Sequence, residues 1–86
     1  MPRISVFYGI VVTMYSSDHA PPHFHARYGE YEAQIAIDTG EPLAGGLPIR
    51  ALRLIREWSA LHQQELSENW DRAQARTPLT TIDPLP

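Results

Sequence analysis

The chain has no cysteine and no lysine. The first absence excludes disulfides and thiolate metal sites, and it suits a reducing compartment, so a cytoplasmic setting is expected. The second leaves all fixed positive charge to seven arginines, against ten carboxylates, for a net charge of −3. That balance disfavours a nucleic-acid binder, whose phosphate contacts need net or clustered positive charge. No apolar run is long enough to span a bilayer, and Met1-Pro2-Arg3 passes straight into a strand pattern, so neither a leader nor a membrane segment is expected. A phosphate-cradling loop is also missing: Ala44-Gly45-Gly46-Leu47 lacks the lysine and the spacing. No nucleophilic serine or cysteine and no carboxylate pair stands out. At 86 residues the expectation is one domain over 1–86, with a core thin enough to gain from a second subunit.

What the chain does have is Asp18-His19-Ala20-Pro21-Pro22-His23-Phe24-His25, with three of its four histidines. Neither proline can donate to a ladder, so the pair ends one element and leads His23 stiffly into the next. Ahead of it, Ile4 to Tyr15 reads as one strand rich in β-branched and aromatic residues, with Gly9 as a bulge. After it, His23–Tyr28 and Tyr31–Asp38 read as a hairpin around Gly29-Glu30, a type II′ turn with glycine first. If Tyr28 opposes Tyr31, then Ala26 faces Ala33 and Phe24 faces Ile35 on an apolar side. Arg27 then faces Glu32, His25 faces Gln34 and His23 faces Ala36 on the other. Thr39-Gly40 is a second tight turn and Glu41–Ala44 a short edge strand. Pro48 suits a helix start, and Ile49 to about Gln74 is amphipathic at 100° per residue. Its stripe is Ala51, Leu54, Ile55, Trp58, Leu61, Leu66 and Ala73, with His62 and Asn69 as polar interruptions and a break near His62-Gln63 as an option.

The expected fold is therefore α+β: an antiparallel three- to four-stranded β-meander packed by a long C-terminal α-helix. One sheet face stays uncovered, which points to a homodimer or another partner.

Residues two apart on a strand point the same way, roughly 7 Å apart at the backbone. His23 and His25 thus present two imidazoles side by side. With Asp18 and His19 from the preceding loop, or Glu32 across the hairpin, they make a candidate divalent metal site, zinc fitting best. Such an ion would generate hydroxide near neutral pH. A histidine-based alternative is acid/base RNA cleavage, with His25 as base and Arg27 steadying a phosphorane-like charge, and with His23 beside them as a further catalytic candidate. The bland reading makes both histidines ordinary residues of a polar strand face. His62 is expected on the helix side of the sheet, apart from the others.

The string Asp18-His19-x-Pro21-Pro22-His23-Phe24-His25-Ala26 resembles the bacterial domain-of-unknown-function family 4160. So do Phe7-Tyr8-Gly9-Ile10, the Tyr28-Gly29-x-Tyr31-Glu32-Ala33 hairpin, Leu47-Pro48-x-Arg50-Ala51-Leu52 and Glu68-Asn69-Trp70. One departure is Ala44, where relatives often carry an acid. The resemblance implies a small protein often encoded beside a protein of family 2442, in a layout like a toxin–antitoxin pair. It therefore implies a protein-interaction component of a two-gene regulatory pair. The metal-dependent or histidine-based hydrolase or nuclease is the alternative, and a nucleic-acid-binding module stands third.

Overall fold

Residues 3–86 are described in the computed structural model. Five antiparallel strands follow one another in chain order: β1 (Arg3–Phe7), β2 (Ile10–Thr13), β3 (His23–Tyr28), β4 (Tyr31–Ala36) and β5 (Pro42–Gly45). Two helices, α1 (Ile49–Leu61) and α2 (Gln63–Gln74), complete an α+β fold. None is long and apolar enough to cross a membrane.

The central hairpin has the register that its alternation dictates: Phe24 opposite Ile35, Ala26 opposite Ala33, His25 opposite Gln34 and Tyr28 opposite Tyr31. Gly29 takes the positive φ of 59° that a type II′ turn demands at its first central residue. Phe24, Ala26, Ala33 and Ile35 are fully buried or nearly so, facing Ile55 and Trp58 of α1. Phe24 meets the Trp58 indole edge-on, with ring centroids 5.7 Å apart.

The single first strand expected over Ile4–Tyr15 is in fact two. Tyr8 and Gly9 both hold positive φ, 50° and 79°, and turn the chain back so that Phe7 pairs with Ile10. Positive φ at both central positions is the type I′ hairpin turn. A tyrosine is strained there, and its hydroxyl is anchored by donating to the Pro86 carbonyl at 2.7 Å. Phe7 joins Ile10, Val12 and Met14 in the core, while Val6 is left 45% exposed. A bulge between Arg3 and Ser5 lets Ile4 stay buried. The strand count thus rises to five, with β5 at the exposed edge.

The helix also divides. His62, at φ −123° and ψ 30°, breaks the helical path between α1 and α2. Leu61, expected in the stripe, is turned outward and is 63% exposed, while Trp70 becomes a core residue. Beyond α2 the tail lies along the core, burying Ile82 and Leu85. The Trp58 indole donates to the Asp83 carbonyl at 2.8 Å, and the Ile82 amide to the Ile4 carbonyl at 2.8 Å. Asn69, fully buried, completes the attachment: its Nδ2 donates to the Thr80 carbonyl, and its Oδ1 accepts from the Thr80 amide and hydroxyl. Asn69→Ala removes all three bonds and leaves buried groups without partners. It should lower unfolding free energy in urea by about 2–4 kcal/mol.

Candidate metal centre

β3 carries the site on the face turned away from Phe24. Its first residue, His23, and its third, His25, place their rings 5.3 Å apart. The β2–β3 loop then folds Asp18 over both. Asp18 Oδ2 lies 3.0 Å from His23 Nε2 and 3.2 Å from His25 Nε2. The loop is held by α2: the Ser17 amide donates to the Ala73 carbonyl, and Gln74 Nε2 donates to the Asp18 carbonyl.

Proton placement at His23 is constrained. Its Nδ1 lies 2.8 Å from the Pro21 carbonyl, which can only accept, so Nδ1 carries a proton. In the neutral ring Nε2 then presents a lone pair, and that lone pair faces a carboxylate oxygen. Two acceptors 3.0 Å apart repel unless a cation stands with them, either a second proton on the ring or a metal ion shared by both. His25 has no such restriction. Its Nδ1 is 4.0 Å from Glu32, too far for a hydrogen bond, so its Nε2 is free to donate to Asp18.

One ligand atom from each of Asp18, His23 and His25 lies within 4.8 Å of the other two. Tetrahedral coordination with bonds near 2.0–2.1 Å has an edge of about 3.4 Å, close to the two Asp18–histidine separations. A backbone carbonyl on the far nitrogen is also how metal-ligating imidazoles are commonly oriented. Burial pushes the Asp18 carboxyl up. The His25 hydrogen bond, the His23 charge, the His19 amide and the His25 charge together outweigh it and hold the group below its ordinary 3.8.

The sequence-derived candidates end in different places. Asp18, His23 and His25 are brought together. His19 points to solvent with its side chain 87% exposed; its amide donates to Asp18 Oδ1 at 3.1 Å and its Nδ1 lies 3.5 Å from the same oxygen, but it does not join the three-residue cluster. His62 bonds Glu65 at 2.5 Å beside Trp58 and takes no part. Arg27 lies opposite Glu32 as its register requires, yet the two form no ion pair; Glu32 leans toward His25 instead. His23, although on the face opposite Phe24, is 2% exposed, because Trp70 of α2 walls it at a ring distance of 5.4 Å. Trp70, Gln74 and Tyr15, whose ring meets His25 edge-on at 4.5 Å, were not among the sequence candidates. Each arrives through tertiary packing, and spacing along the chain carries no signal of it.

Next to His25 the open face hollows into a pocket of about 110 Å³, bounded by Arg3, Thr13, Tyr15, Arg27 and Glu32 over Val11. Of the three metal candidates His25 borders this pocket, while His23 is enclosed by protein.

A family model described as "Domain of unknown function (DUF4160)" matches residues 9–71. No curated protein and no solved structure matches the chain.

A carboxyl held low in the folded state contributes stability above its unfolded value and loses it as pH falls through the folded one. Thermal unfolding followed from pH 6 to pH 2 should show a loss beginning near 3.8 in the parent. That component should be missing in Asp18→Asn.

Proposed function

We propose that this chain, which belongs to the DUF4160 family, holds a divalent metal ion through Asp18, His23 and His25 and uses it in hydrolysis. One observation carries the reading: a buried imidazole whose proton is fixed on the Pro21 carbonyl aims its lone pair at a carboxylate oxygen that a second imidazole also reaches. Two nitrogens and one oxygen with an unfilled side suit zinc, and three protein ligands with an open position mark catalytic rather than closed structural sites. Bound there, the ion would supply hydroxide near neutral pH. Asp18 and the two histidines hold it, Tyr15 and Trp70 fix the ring planes, and Arg27 steadies negative charge on the substrate.

Protein purified without a histidine tag should bind about one zinc ion per chain by calorimetry and elemental analysis. His23→Ala and His25→Ala should each weaken binding by well over tenfold, since loss of a mere outer partner already costs about 10–100-fold. Absence of zinc, manganese and nickel binding in the folded parent would sink the reading.

A second reading, the protein-interaction half of a two-gene regulatory pair, is supported by a different surface. Tyr8, Tyr28 and Tyr31 are 56%, 38% and 48% exposed, and they gather where the first and third strand turns meet. Tyrosine is enriched at the centres of protein interfaces. This patch lies at the far end of β3 from His23, roughly 17 Å away at about 3.3 Å per residue. Co-expression with the neighbouring small protein, of the family 2442 kind, should give a complex that survives gel filtration and is broken by Tyr31→Asp. The same column reports whether the chain is a homodimer. Independent elution of the two proteins would remove this reading and leave the metal site standing.

A further inference from the structure

The cross-strand rows of the open face place two guanidiniums beside the metal candidates. Arg3 pairs with Thr13, and Thr13 with His25, in one row. Val11 pairs with Arg27, and Arg27 with Glu32, in the next. All six line the same pocket. Among the described residues, neither Arg3 nor Arg27 has an ion pair or a side-chain hydrogen bond. The nearest acid, Glu32, is turned to His25 Nδ1 at 4.0 Å. Two forked cations thus share one hollow, and its one lining carboxylate, Glu32, pairs with neither.

We propose that this pocket receives a phosphoryl group and that the substrate of the neighbouring metal site is a phosphate ester. The inference rests on the hydrolytic reading above for its chemistry, though not for its geometry. A carboxylate presents one bidentate edge, whereas a phosphoryl group presents several around one centre and carries more charge, so it matches two guanidiniums better. The volume, about 110 Å³, is far below the roughly 300–1,000 Å³ of a pocket that engulfs a whole drug-sized ligand. It therefore takes one small group, with the remainder of the ester outside. His25 is common to the pocket and to the metal candidates, so a phosphoryl group on Arg3 and Arg27 sits next to the ion position. The Thr13 hydroxyl, on a residue only 8% exposed, lies between Arg3 and His25 in the row and offers a further donor.

The test measures inorganic phosphate binding to the full chain by phosphorus NMR titration, at constant ionic strength, after chelation and again with zinc added. Phosphate should bind the chelated protein. Arg3→Met and Arg27→Met should each weaken it by about tenfold or more, as expected for loss of charged hydrogen bonds. Arg53→Met, on the exposed side of α1, should leave it unchanged. Near-UV circular dichroism confirms that each variant is folded. Phenyl phosphate and diphenyl phosphate form the second arm. Tighter binding of the first assigns a terminal phosphate, and tighter binding of the second an internal diester. No phosphate binding by the parent, or binding that ignores Arg3 and Arg27, overturns the proposal. Phosphate binding that persists in His23→Ala while zinc binding is lost separates this pocket from the metal reading. Failure of zinc to bind the parent leaves the phosphate result to stand or fall alone.

Discussion

The two-residue period of β3 is the constraint on which the rest of the molecule depends. Phe24 and Ala26 must go into the core against Trp58, so His23 and His25 must go to the other side. A slip of one residue would turn both imidazoles toward the Trp58 side and the phenyl ring away from it. Core and candidate site are therefore specified by the same six residues, and the glycine-first turn that sets the pairing with β4 sets both at once. Selection on either property acts on the other.

Asp18 shows how the loop and the helices complete what the strand begins. The strand supplies two adjacent imidazoles, but only the loop brings a charge between them. That loop is in turn tied to the last turn of α2 through Ser17 and Gln74. The geometry of the cluster thus depends on helix docking as well as on strand pairing. Trp70 contributes to both, as a core residue and as a wall for His23.

Much of this is legible in the residues, and the parts that are not have physical reasons. The β3–β4 register follows from alternation alone, because a shift would exchange an apolar face for a charged one. That His23 and His25 share a face follows from parity; that Asp18, rather than His19 or Glu32, completes the cluster depends on the loop being tied to α2. The Tyr8-Gly9 turn does not announce itself. An unbroken β-branched run continues on both sides, and tyrosine is a poor residue for positive φ. What holds it there is a contact to Pro86, at the opposite end of the chain. Likewise Asn69 looks like a blemish in an apolar stripe. It becomes intelligible only once Thr80 folds back to meet all of its polar atoms. The missing Arg27–Glu32 pair has the same origin: register makes them neighbours, but Glu32 leans to His25 instead.

The attachment of the C-terminal tail has a consequence for how copies of this chain meet in a crowded solution. A meander always ends in two strands with unsatisfied backbone groups, each a template for adding a further strand. Here the Ile4 carbonyl on the outer side of β1 is already taken by the Ile82 amide. At the other border β5 is only four residues long, begins with a proline that has no amide hydrogen, and is broken in register against β4. Both borders are blunted by different means, so sheet-to-sheet fibre growth is discouraged without spending a single lysine on the task.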